Sequence, residues 1–276
     1  MPRWNWGYNT NGFAHHRLED AIEVIREIGF GGLALTPDVA HLDVFGEGLG
    51  GAVSEIAQRL QKCQLTVVIE TGARFVLDSR RKHYPSLLCV KERQHRLDYL
   101  RRCVDMASSL GADVCSLWAG YNFEDLPTAQ AHALLLEGLD SVVSYGESRG
   151  VTIALEPEPG MFIETLDQYL EVAKSFKGRA FGLALDVGHL MVTGERPLGD
   201  QIRRVGPHIV TVAVEDMQPG VHEHLPFGEG AIDFAEVFEA LDDTGFDGVV
   251  SVELSRASPD AVREARAAWD FLQQFE

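Results

Sequence analysis

Residues 151–189, VTIALEPEPGMFIETLDQYLEVAKSFKGRAFGLALDVGH, decide the fold. The runs at 153–155 and 183–185 are short and wholly aliphatic, as strands covered on both faces should be. Between them Leu166, Tyr169, Leu170 and Ala173 recur at helical spacing, and Gly178 follows where the helix should stop. Such a stripe can lie against a sheet. A glycine takes the left-handed conformation at a helix end without a Cβ clash. Strand, helix and strand in this order predict two parallel strands joined by a helical crossover.

The unit repeats in both directions. Candidate strands centre on 4–8, 33–35, 67–69, 114–117, 153–155, 183–185, 209–214 and 249–252. Helical stripes include Leu18, Ala21, Ile22, Ile25 and Ile28, then Leu97, Leu100, Val104 and Ala107, and finally Val262, Ala265, Trp269 and Leu272. Gly29, Gly111, Gly150, Gly206 and Gly245 are expected, like Gly178, to end helices in the left-handed conformation. Eight such units predict the α/β class and a single (β/α)8 TIM barrel over residues 1–276. An open doubly wound sheet would need a glycine-rich phosphate loop after an early strand. The one dense glycine cluster, Gly46, Gly48, Gly50 and Gly51, contains Glu47 and no following Lys-Ser/Thr. It reads as a flexible loop. The segment 74–90 is long for a strand-to-helix connection, and loops of that length often cover binding sites.

The chain carries 24 Lys+Arg against 42 Asp+Glu, a net charge of −18. That balance disfavours nucleic acid as a partner. Hydrophobic residues make up 45%, enough for a sizeable core. Cys63, Cys89, Cys103 and Cys115 form no CxxC pair, which predicts reduced thiols and a cytoplasmic location. The amino terminus lacks an apolar signal core, and no run approaches the ~20 apolar residues of a membrane span. Oligomeric state is left open, a homo-oligomer included.

In a barrel the active site lies where the strands finish. The third strand runs out at Glu70, the fourth at Trp118, the fifth at Glu156, the sixth at Asp186 and the eighth at Glu253. A carboxylate directly after a buried aliphatic run, left unpaired, costs several kcal/mol or is neutralised. Glu156, Asp186 and Glu253 are therefore expected to converge on one divalent metal ion, Mn2+, Mg2+ or Zn2+. Neutralisation by arginine or lysine is the alternative. His189 follows Asp186 by three residues. His222 and His224 lie in GVHEHLPFGEG, where an extended segment would send both rings to one side.

The segments ALEPEPG, LALDVGH, HEHLPFGEGAIDF and VVSVELSR resemble those of the xylose-isomerase-like barrels. That superfamily holds sugar and sugar-phosphate isomerases and epimerases, inosose dehydratases and the type-four endonuclease. The resemblance implies a metal held by Glu156, Asp186 and Glu253, with a histidine from the seventh strand. Here that histidine's position holds Ala213. His224 or His222, from the loop after the same strand, is then expected to supply the imidazole; His224 is taken as the metal ligand. The resemblance further implies proton transfer beside a sugar carbonyl, with Glu156 and Glu253 as the acid/base pair.

The substrate is expected to be a small carbohydrate. His189, His222 and Glu158 are candidate partners for its oxygens, Trp118 for its apolar face and Arg256 for an anionic substituent. Arg80, Arg81, Lys82 and His83 read as a solvated loop. Three other readings compete with an isomerase or epimerase. A lyase or dehydratase would expel a hydroxyl from a keto-polyol. Nucleic-acid repair would need histidines where Glu70 and Trp118 stand. A non-catalytic barrel would follow if the site lost its metal along with the histidine at 213.

Overall fold

The computed structural model describes residues 3–72 and 74–275. Eight parallel strands close into a barrel: β1 (Asn5–Asn9), β2 (Gly32–Leu35), β3 (Thr66–Glu70), β4 (Val114–Trp118), β5 (Thr152–Glu156), β6 (Phe181–Asp186), β7 (Ile209–Val214) and β10 (Val249–Val252). Around the ring the order is β1-β10-β7-β6-β5-β4-β3-β2. The outer helices are α1 (Leu18–Ile28), α2 (Leu49–Cys63), α3 (Arg93–Leu110), α4 (Thr128–Arg149), α5 (Leu166–Ala173), α6 (Val187–Thr193), α7 (Leu198–Val205), α8 (Phe234–Thr244) and α9 (Ala261–Leu272). A two-stranded antiparallel hairpin, β8 (Asp216–Gln218) and β9 (Val221–Leu225), interrupts the alternation after β7. Short apolar runs read as strands therefore fold as strands. The first begins one residue later than the run at 4–8.

Two layers of apolar packing hold the barrel. Leucine, isoleucine and aromatic side chains from the strands' outer faces meet the helices in the larger core. Inside the barrel, Ala34, Val68, Val114, Ala154, Ala184 and Val249 form a separate small-residue cluster. The inner chains are small because the strands approach closely. A Cβ on Gly7 or Gly32 would come within 2.8 or 2.9 Å of the Val249 side chain.

Strand alternation extends this inner face to the top of the barrel. Glu70 stands two residues beyond Val68, Glu156 two beyond Ala154, Asp186 two beyond Ala184 and Glu253 two beyond Ser251. The packed floor thus ends in a ring of acids.

Two expectations are corrected. The glycine cluster is not wholly loop: Gly48 caps α2, and Gly50 and Gly51 lie in its first turn. Val53, Ile56 and Leu60 bury one face of that helix, and this packing carries the helix back over residues of poor intrinsic propensity. Gly206 does not take the left-handed conformation (φ −41°) because the chain continues there into a 3-10 turn through Pro207. Gly29, Gly111, Gly150, Gly178 and Gly245 all have positive φ.

Candidate active site

A cavity of about 360 Å3 opens at the carboxyl ends of the strands. Glu156 from β5 and Glu253 from β10 lie in its wall, with Glu158, His189, His222 and His224. The hairpin explains the histidines. Extended backbone at β9 sends His222 and His224 to one side, and the hairpin folds them back over the barrel mouth.

His189 sits in the first turn of α6, which Asp186 caps by accepting from the His189 backbone N–H at 2.9 Å. Its ring Nδ1 is 3.0 Å from the carbonyl oxygen of Pro157. Nε2 is 3.1 Å from His222 Nε2, 3.5 Å from Asp186 Oδ2 and 3.7 Å from Glu158 Oε2. Burial lowers the His189 pKa to about 4, so the ring is neutral at physiological pH.

The acids are held without counter-ions. Among the described residues, no arginine or lysine pairs with Glu156, Asp186 or Glu253; His189 lies beside Glu156 and Asp186, and His224 acts on Glu253 electrostatically. Burial pushes Glu156 well above the usual carboxylate range, and repulsion from Glu158, Asp186 and Glu253 adds to it. Burial and repulsion from Asp186 push Glu158 up to about 8. Glu253 rises to about 7, mainly by burial, although its Oε1 accepts from Asn11 Nδ2 at 2.9 Å. Burial would raise Asp186 too, but His189 and His224 nearby hold it below its ordinary value. Glu70 also lines the cavity, but both its oxygens are engaged. Its Oε2 accepts from Thr36 Oγ1 at 2.5 Å and its Oε1 from the Gly72 backbone.

The four expected metal ligands do not form one compact group. Asp186 and His224 close with Glu215, while Glu156 closes with Glu158 and His189. In each trio the ligand atoms lie within 4.8 Å of one another, as they do in the trio His189, His222 and His224. Glu253 belongs to none of these. Glu215, just past the end of β7, was missed by the sequence reading. It has no exposed surface, burial drives its pKa well upward, and its carboxyl lies against Asp186 and the Gly188 backbone N–H without a well-formed hydrogen bond. The signal was present: Glu215 stands two residues after Ala213, as Glu156 does after Ala154. Asp186 Oδ2 and His224 Nδ1 are likewise buried without well-formed hydrogen bonds. Oxygen donors with imidazole, aimed at one point and left unsatisfied, fit a divalent cation.

The remaining candidates divide. Trp118 lines the cavity, T-shaped against His83 (centroids 4.8 Å apart), with the Arg96 guanidinium 4.9 Å from its ring. Arg256 reaches the rim but pairs with Glu223. Of the basic run read as solvated, Arg80, Arg81 and Lys82 are exposed while His83 is buried, and Lys82 and His83 also line the cavity together with Arg74. Buried Arg96 holds that segment over the mouth by donating to the carbonyls of Pro85 (2.7 Å) and His83 (3.0 Å).

Fold and site together define a closed parallel TIM barrel with an acid- and histidine-rich pocket at its carboxyl face. The chain belongs to the xylose isomerase-like TIM barrel family, whose model matches residues 22–275. It is 28% identical over 214 residues to the L-ribulose-5-phosphate 3-epimerase UlaE of Escherichia coli, covering 76% of this chain and 75% of that one. Its structure superposes on that of a D-tagatose 3-epimerase-like protein with a TM-score of 0.81 at 21% identity, covering 98% and 96% of the two chains. The IOLI protein with a bound zinc atom superposes with a TM-score of 0.76 at 18% identity, covering 99% of each chain. No helix among the described residues is long and apolar enough to cross a membrane.

Proposed function

We propose that this protein is a divalent-metal-dependent sugar epimerase or isomerase that moves a proton beside a carbonyl. The observation that carries the reading is the pair Glu156 and Glu253, on strands three places apart around the barrel, both lining one cavity without a cationic partner. The similarity to a ketose-phosphate epimerase over three quarters of the chain supports it. Glu156, Asp186, His224 and Glu253 are the ligands proposed from the sequence for the ion. A bound divalent cation supplies electrostatic stabilisation of the negative charge that develops on the substrate oxygens.

The protein's own groups do the rest. One glutamate of the pair removes the proton next to the carbonyl. The other delivers a proton to the opposite face, inverting that centre, or to the neighbouring carbon, moving the carbonyl. Glu253, at about 7, is poised to gain or lose a proton near neutrality, where an acid/base group works best. His189 Nε2, His222 and Glu158 face the substrate hydroxyls, and Trp118 offers an edge of apolar surface. Arg74, Lys82 and Arg256 at the rim suit an anionic substituent. All four cysteines are free, which accords with the proposed cytoplasmic location.

The test is solvent exchange. Ketopentoses and ketohexoses, free and phosphorylated, are incubated with the Mn2+-loaded protein in deuterium oxide and followed by NMR. Deuterium enters at carbon 3 for a 3-epimerase and at carbon 1 or 2 for an isomerase. Glu156→Gln and Glu253→Gln should each lower exchange by ~10²–10⁴-fold. Undiminished exchange in both variants refutes the acid/base assignment.

A further inference from the structure

We propose that Glu215, with Asp186 and His224, forms the deep seat of the cation. This rests on the metal dependence proposed above and assigns the residues that create it. Asp186 Oδ2, both oxygens of Glu215 and His224 Nδ1 are buried and lack well-formed hydrogen bonds; the two carboxyl groups face one another, with the Gly188 backbone N–H beside Glu215. The three residues each offer a ligand atom within 4.8 Å of the others, and His224 Nδ1 is 3.9 Å from Glu215 Oε2. Side-chain exposure is 0% for Glu215 and 1% for Asp186, so bulk solvent does not reach them. Two buried carboxyl groups packed against one another are costly when charged, and a cation is the partner that they and an imidazole can share.

The register shows why this chain needs Glu215. Ala213 on β7 pairs with Asp186 on β6, so the methyl group at that level provides no ligand beside Asp186. The next inward position along β7 is 215, and Val214 pairs with Val252, which sets Glu215 beside Glu253. Glu253 Oε1 accepts from Asn11 Nδ2, whereas the Glu215 carboxyl faces Asp186. The hairpin after β7 then returns His224 to the same point. Space has been kept for this arrangement: a side chain at Gly188 would run into the Glu215 carboxylate. Asp186 uses Oδ1 to cap α6 and keeps Oδ2 for the seat.

The full-length protein, stripped with chelator, is titrated with Mn2+ while the electron paramagnetic resonance signal of the free ion is recorded. The wild type should bind one ion tightly, and Glu215→Gln or His224→Ala should weaken binding at least ~10–100-fold, the loss seen when even groups behind a ligand are removed. Melting followed by circular dichroism shows whether each variant is folded. If Glu215→Gln does not fold, Glu215→Asp is loaded with Co2+, and its visible absorption band should shift from that of the wild type. Wild-type Mn2+ affinity in Glu215→Gln, or an unshifted band in Glu215→Asp, overturns the proposal. So does weakening by His222→Ala but not Glu215→Gln, which would place the ion among the three imidazoles. A wild type that binds neither Mn2+, Co2+ nor Zn2+ overturns this seat and metal dependence together, while the deuterium experiment still judges proton transfer on its own.

Discussion

The ring of His189 is tied to the chain at Pro157. A carbonyl oxygen can only accept, so the 3.0 Å contact with Pro157 places the imidazole proton on Nδ1. With the ring neutral, Nε2 is left as a lone pair directed toward His222, Asp186 and Glu158. The contact orients the ring and selects its tautomer. Replacing His189 with phenylalanine keeps the ring volume and removes both bonds. The expected result is a fall in kcat/KM of ~10-fold or more for the sugar that shows exchange, since a hydrogen bond in a dry site contributes ~1–3 kcal/mol. Unchanged kcat/KM would show that His189 supports the fold and does not meet the substrate.

Asn11 acts through Glu253. Its Nδ2–H donates to the carboxylate at 2.9 Å, which favours the charged form and lowers the pKa that burial raises. Asn11→Ala removes the donor, so the Glu253 pKa should rise further. The acidic limb of the pH–rate profile should then move to higher pH, while activity on the alkaline side of that limb is largely kept. A uniform loss of activity with an unmoved limb would mean that Asn11 only packs.

Protons and the metal compete for the same acids. In the metal-free chain Glu253 sits at about 7 and Glu158 at about 8, both above the carboxylate value of 4.5 that applies to the unfolded chain. The folded form therefore binds more protons. This contribution is fully present below about pH 4.5 and is lost as pH rises through about 7 to 8. With chelator present, Tm should fall between pH 5.5 and pH 8.5, and Mn2+ should restore it at the higher pH. General repulsion in a chain of net charge −18 acts in the same direction, so the control is Glu253→Gln, which should flatten the slope. A Tm in chelator that rises with pH would contradict the electrostatics described for the site.

Lys82 tests the rim. It is exposed at the rim, and desolvation followed by repulsion from Arg74 lowers its pKa while Glu158 opposes the shift. Cations in this position would be relieved by an anionic substituent on the substrate. Lys82→Ala should raise KM for a phosphorylated sugar by ~10-fold and leave KM for its unphosphorylated counterpart within about 2-fold, as expected for a charged hydrogen bond. Equal effects on the two sugars would remove Lys82 from substrate selection.

Much of this molecule was legible before any coordinates. Aliphatic triplets such as those at 153–155 and 183–185 belong between two layers, and eight short, mostly apolar runs joined by amphipathic helices close a barrel. Acids immediately following those triplets must rise from its carboxyl rim. Glu156 and Asp186 end β5 and β6, and Glu253 directly follows β10, as that rule expects.

Distances between strands were not legible, because a linear pattern carries alternation but not register. Only the closed ring shows Ala213 level with Asp186, Glu215 one step above it, and Glu253 satisfied by Asn11. The histidines follow the same division. Their spacing put them on one side of an extended segment, but the hairpin Asp216–Leu225 brought them back over the mouth. Local chemistry and periodicity determined which side chains could serve the site. Tertiary closure decided which of them meet, since convergence depends on the shear of the barrel and the fold of one hairpin, and neither is written in any short run of residues.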